Sequence, residues 1–105
     1  MGPSQASATV MEQVRRRRPQ LAAILTKYDA TEPLIFGSVA RGEATTASDL
    51  DIMVTLAPDR GNPWMRLAGL TDEFSAILGL RVDVVSPSVL RTEVSQQARR
   101  EAVPL

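Results

Sequence analysis

The chain has 105 residues, with 12 Lys plus Arg against 12 Asp plus Glu, and neither cysteine nor histidine. That length holds one small core and not two, and the balanced charge offers no broad basic surface, so direct nucleic-acid binding is not expected. The missing residue types exclude disulfides, thiolate zinc sites and Ser-His-Asp chemistry, so a catalytic metal would need oxygen ligands, which favours Mg²⁺ or Mn²⁺.

Residues 1–8 are small and polar and read as a flexible N-terminus, leaving 9–105 as the folded domain. They lack the apolar core of a signal peptide, and Ala6 breaks the myristoylation pattern. No apolar run approaches the ~20 residues of a membrane span, so a cytoplasmic protein with no membrane partner is expected. Thr9 and Glu12 have capping-box spacing and predict a helix start there. Val10, Val14, Leu21, Ile24, Leu25 and Tyr28 recur at helical intervals, with Pro19 imposing a kink or restart near Arg18. Pro33–Phe36 reads as a short buried strand ended by Gly37, and Ser38–Arg41 as the first turn of a short helix.

After a polar loop, Asp49–Leu56 alternates as a strand, with Leu50, Ile52 and Val54 on one face and Asp49, Asp51 and Met53 on the other. Asn62 and Pro63 predict a helix start, Gly79 its end, and Trp64, Leu67, Ala68, Phe74, Ile77 and Leu78 its apolar stripe. Trp64 and Phe74 read as core. Leu80–Val85 is a third strand, and Ser86-Pro87 opens a last helix that buries Val89, Leu90, Val94 and Ala98. This order implies an α/β (α+β) domain: a small mixed sheet of about three or more strands covered by helices.

Three features carry possible chemistry. Gly37-Ser38, between a strand and a short helix, suits a phosphate cradle: glycine admits close approach, and helix-start amides and the Ser38 hydroxyl donate. Asp49 and Asp51 project from one strand face, and carboxylates that close resist joint ionisation unless a cation neutralises them. A turn cap at Asp49 and a solvated Asp51 are the ordinary alternatives. Asp83, among valines, would be a third metal ligand and proton acceptor, or the ion-pair partner of Arg81 two residues away. The run Arg15–Arg18 fans around a helix turn; a solvated helix end explains it, and contact with an acidic partner is the alternative.

Ile35-Phe36-Gly37-Ser38-Val39-Ala40-Arg41-Gly42-Glu43-Ala44-Thr45, followed by Ser48-Asp49-Leu50-Asp51-Ile52 and the later Val82-Asp83-Val84, resembles the minimal nucleotidyltransferase (MNT) family of the DNA polymerase β superfamily. The resemblance implies a nucleotidyltransferase fold. Gly37 and Ser38 would hold the triphosphate of ATP, while Asp49, Asp51 and Asp83 would bind Mg²⁺ and form the catalytic centre. Arg41 would steady the phosphates, or else tie down the loop Gly42–Thr45. MNT proteins are often antitoxins encoded beside a HEPN toxin and are thought to place AMP on one of its tyrosines. A chain of this size carries no separate acceptor domain, which favours an acceptor presented by a protein partner. A binding-only antitoxin and a small-molecule nucleotidyltransferase are the competing expectations.

Overall fold

Ser4, rather than Thr9, starts the first helix. The computed structural model describes residues 2–90 and 92–105, and in it α1 spans Gln5–Arg16, with the Ser4 hydroxyl accepting from the Ser7 amide at 3.2 Å. The earlier cap wins because Ser7 is itself buried, so this turn packs against the body of the protein. Residues 4–8 therefore belong to the folded domain, which corrects the flexible 1–8 segment. Pro19 acts as the sequence predicts: α2 restarts over Arg18–Lys27 with the proline in its first turn. Arg15 and Arg16 pair with Glu12, and Arg18 donates to the Leu105 carbonyl at 3.0 Å.

Strand β1 covers Ala30–Phe36, longer than Pro33–Phe36, because a bulge between Thr31 and Leu34 absorbs the proline. The short helix α3 (Gly37–Ala40) leads through a loop to β2 (Leu50–Leu56). The helix α4 (Pro63–Leu78) is capped by Asn62, whose side chain accepts from the Trp64 and Met65 amides, and is ended by left-handed Gly79. Strand β3 (Val82–Val85) follows, starting later than Leu80 because Leu50 N–H takes the Arg81 carbonyl where the parallel pairing begins. Ser86-Pro87 opens only a 3₁₀ turn, Pro87–Val89. The helix α5 spans Thr92–Glu101, and the passage of a continuous helix through Arg91 lies outside the described residues. A two-residue strand β4 (Val103–Pro104) closes the chain and is too short to be legible from periodicity.

The sheet order is β3-β2-β1-β4, with β2 and β3 parallel and the other pairs antiparallel. At the β4 edge Pro104 offers no N–H, which blunts that edge against further strand pairing. One face carries the core: Ile35, Leu50, Ile52, Val54, Val82 and Val84 pack with Val14, Leu21, Ile24 and Leu25 and with Leu67, Leu70, Phe74 and Leu78. The α4 stripe therefore runs 67-70-74-78. Trp64, read as core, is 64% exposed, and Ala68, Ile77 and, in α5, Val94 are exposed too. Trp64, in the first turn of α4, lies about 75° around the helix from the centre of that stripe. No helix among the described residues is long and apolar enough to cross a membrane.

Candidate active site

The second sheet face gathers the acids. Register places Phe36 opposite Asp51, and Asp51 opposite Asp83 on the parallel neighbour. In-register residues of adjacent strands point the same way, so the two carboxylates project to one side, with Asp49 just before β2 begins. The same alternation sends Leu50 and Ile52 into the core. Met53, on the acid face, is also buried, because the 3₁₀ turn and α5 cover the far part of that face.

Gly37 has a specific reason to be glycine. Its φ is +75°, and a Cβ there would collide with Asp51 Oδ2. The cradle and the middle acid are therefore in direct van der Waals contact. The helix after it has only four residues, so its macrodipole is slight. What it offers an anion is the set of first-turn N–H groups and the Ser38 hydroxyl.

Asp51 is half-buried, and its carboxyl is held above the ordinary Asp range, first by burial, then by the charges of Asp83 and Asp49; Arg41 pulls weakly the other way. A site that raises the energy of its own carboxylate in this way is relieved by a cation. The donors available are oxygens, which fits a hard divalent ion. Among the described residues, no three acids are already drawn together into a metal-holding group.

Two arginines beside the site already hold carboxylate partners. Arg81 Nε pairs with Asp49 Oδ1 at 3.0 Å, not with Asp83, and its Nη2 donates to the Ala47 carbonyl. It leaves Asp83 exposed on the open face. Arg41 donates to Glu43 at 3.1 Å and to Glu101 of α5 at 2.9 Å. Its guanidinium thus ties the loop after α3 to α5, as the second reading of that residue has it.

The loop between cradle and acids is held from outside. Ser4 and Ser7 of the amino-terminal turn bond the backbone of Gly42 and Ala44. Within the loop, Thr45 N–H donates to Ser48 Oγ and Ala47 N–H to Thr45 Oγ1. Sequence reading missed the serine contacts, for which two small polar residues three apart give only a weak signal. A groove of about 650 Å³ lies between α1, α3 and β4, lined among others by Met11, Val39 and Val103, and contains none of the candidate acids. The acids occupy open sheet surface instead, where they are accessible to a large acceptor.

Known proteins are similar to this chain in sequence and fold. The profile described as polymerase beta, nucleotidyltransferase matches residues 20–105. Protein adenylyltransferase MntA of Thermococcus cleftensis is 35% identical over 77 residues, 73% of this chain and 76% of that protein. A structure assigned as a minimal nucleotidyltransferase superposes with a TM-score of 0.77 at 38% identity, covering 90% of this chain and 94% of the other. A crystal structure of a toxin–antitoxin with AMP-PNP shares the fold, with a TM-score of 0.68 at 23% identity over 82% of this chain and 69% of that one.

Proposed function

The chain belongs to the polymerase beta nucleotidyltransferase family and is a nucleotidyltransferase, and from that premise we propose that it is the antitoxin of a toxin–antitoxin pair, a cytoplasmic Mg-ATP-dependent protein adenylyltransferase. It transfers AMP to a hydroxyl, a tyrosine, of a HEPN-type toxin and releases pyrophosphate. The observation that carries this reading is the in-register pair Asp51 and Asp83, with Gly37 packed on Asp51, on open sheet surface rather than in a closed pocket. A relative named as a protein adenylyltransferase and a toxin–antitoxin of the same fold with AMP-PNP support the acceptor class and the nucleotide.

In this reading Gly37 and Ser38 hold the triphosphate through backbone N–H groups and the Ser38 hydroxyl. Asp49, Asp51 and Asp83 would hold Mg²⁺, which when bound neutralises phosphate charge and stabilises the leaving pyrophosphate. Asp83, the exposed member on the open face, takes the proton of the acceptor hydroxyl. The hydroxyl oxygen then bonds the α-phosphorus, the bond from that phosphorus to the bridging oxygen breaks, and pyrophosphate leaves. Arg41 steadies the phosphates only if it exchanges one of its two carboxylate partners for them.

Intact-mass measurement of the toxin after co-expression tests the proposal. Wild type is expected to add one or more AMP units, and Asp49→Ala/Asp51→Ala to reduce the modified fraction by about 10²-fold or more. A toxin that stays unmodified with wild type, yet is bound and silenced, overturns the transferase reading for that target in favour of a binding-only antitoxin.

A further inference from the structure

The matched family region begins at residue 20, so α1 lies outside it. Yet α1 makes its most specific contacts with the loop that separates the phosphate cradle from the acids. Ser4 N–H donates to the Gly42 carbonyl at 2.8 Å, and Ser4 Oγ donates to the Ala44 carbonyl at 2.7 Å. The Ala44 N–H donates to Ser7 Oγ at 3.0 Å, and the two serine hydroxyls lie 2.9 Å apart in a further hydrogen bond. Both backbone groups of Ala44 are thus taken by one pair of hydroxyls. Ser7 is 1% exposed and Ala44 is 3% exposed, so water cannot substitute for these bonds. Pro3 closes against Gly42, where a Cβ would stand 3.1 Å from its atoms.

This loop is the covalent connection between Gly37-Ser38 and Asp49, and the pairing of β1 with β2 joins them non-covalently. Its start is folded back on α3 by Glu43 N–H to the Ser38 carbonyl at 2.9 Å, and its end by the Thr45–Ser48 turn. The serine pair fixes the middle. A loop pinned at all three places delivers Ser48-Asp49 to one position relative to Ser38, and reaction rates are sensitive to displacements of about 1 Å at such distances.

We infer that the Ser4–Ser7 hydroxyl pair is a positioning element of the nucleotidyl-transfer site, setting the separation of cradle and acids through Ala44. The inference rests on the reading given under Proposed function. Neither serine touches the acids, and each acts through the loop backbone.

The test uses the full chain with Ser7→Ala, with Ser4→Gly, which deletes the hydroxyl but keeps the helix start nearly as stable, and with Thr9→Ala as a matched hydroxyl deletion on the same helix. Four quantities are measured well below the melting temperature: AMP transfer to the toxin, Mg-AMP-PNP affinity by calorimetry, amide exchange of Ala44, and exchange of the α4 amides as a check on the fold. Both serine variants are expected to speed Ala44 exchange while α4 protection holds, to lower kcat about 10- to 100-fold and to weaken Mg-AMP-PNP binding, with Thr9→Ala unchanged. Ser7→Thr, which keeps the hydroxyl, should recover most of the kcat. Unchanged kcat and nucleotide affinity in both serine variants, with only a lower melting temperature, overturn the inference and leave the pair as a structural cap. If wild type itself transfers no AMP, the adenylyltransferase reading falls separately. Calorimetry and amide exchange then decide whether the pair sets nucleotide binding.

Discussion

The seam between α2 and α4 and the acid face of the sheet both concentrate charge, and they treat it in opposite ways. In the seam Arg66, Lys27 and Glu73 each have a partner. Arg66, 8% exposed, donates to the carbonyls of Tyr28, Asp29 and Ala57. Glu73 accepts from Lys27 at 2.9 Å and from the Tyr28 hydroxyl, and its carboxyl is held below its ordinary range, chiefly by the Tyr28 bond. Gly69 leaves room for the Tyr28 ring, since a Cβ there would overlap it. On the acid face the half-buried carboxyl of Asp51 is pushed the other way, by burial and by Asp83 and Asp49. One region uses its polar groups to hold the fold, and the other leaves the Asp51 carboxyl facing like charges. That is the signature expected where stability is traded for chemistry.

The contrast breaks most sharply at Arg66. Arg66→Met keeps the stem that packs in the seam but takes the guanidinium from the Tyr28 and Ala57 carbonyls at the exits of α2 and β2, while the Asp29 carbonyl keeps its bond from the Ala57 N–H. Charge-assisted bonds from a buried guanidinium to partly buried carbonyls make this the largest stability loss, about 2 kcal/mol by denaturant unfolding. Because Arg66 touches none of the candidate acids, kcat of the folded fraction at low temperature should be near wild type. A large kcat loss there would mean that the seam and the site are coupled.

Asp51→Asn sharpens the same contrast with the opposite sign. It removes the uncompensated charge, so the protein should gain on the order of 0.5–1 kcal/mol at neutral pH, a modest figure because a half-exposed carboxyl is screened by solvent, while AMP transfer is lost. The pH dependence follows from the direction of the shift. The folded Asp51 holds its proton to higher pH than the unfolded chain, whose carboxyl titrates near the ordinary 3.8. Between the two values the folded state binds more protons, so this group's contribution makes stability fall as pH rises through that window and level off above it. Melting curves of wild type minus Asp51→Asn between pH 3 and 7 should show that slope. A difference that grows in favour of wild type with pH would mean the carboxylate has a cationic partner.

The acid face was the more legible of the two regions. Strand alternation alone puts Asp49 and Asp51 on the side away from Leu50 and Ile52, and the core on that far side is as expected. Helices α2 and α4 follow from their prolines, Asn62 and Gly79. Illegible were contacts that join residues far apart in the chain: Arg66 to Tyr28, Ser7 to Ala44, and the pairing of Val103 with Ile35. Trp64 shows a different limit. Its hydrophobicity argued for the core, but helix phase, set by Leu67, Leu70, Phe74 and Leu78, turns it outward. Sequence likewise offered Arg81 to Asp83 by strand spacing. The parallel register sets Leu50 opposite Val82, so one step back Asp49 lies opposite Arg81, and the guanidinium pairs across the strands with Asp49 instead.

That last pair gives the smallest and most discriminating prediction. The Arg81 side chain is 71% exposed and the Asp49 side chain 50%, so the bond is worth little to stability. Arg81→Ala should move the melting temperature by only about 2–4 °C. Its consequence lies in competition: a guanidinium on Asp49 Oδ1 occupies an oxygen that a divalent ion would use. Removing it should lower the half-saturating Mg²⁺ concentration about two- to threefold, equivalent to the roughly 0.5 kcal/mol of an exposed ion pair, with kcat unchanged. A rise in KM for ATP at saturating Mg²⁺ would reverse that reading. Arg81 would then leave Asp49 when nucleotide arrives and grip the triphosphate, and the acid face would hold a cationic ligand in reserve.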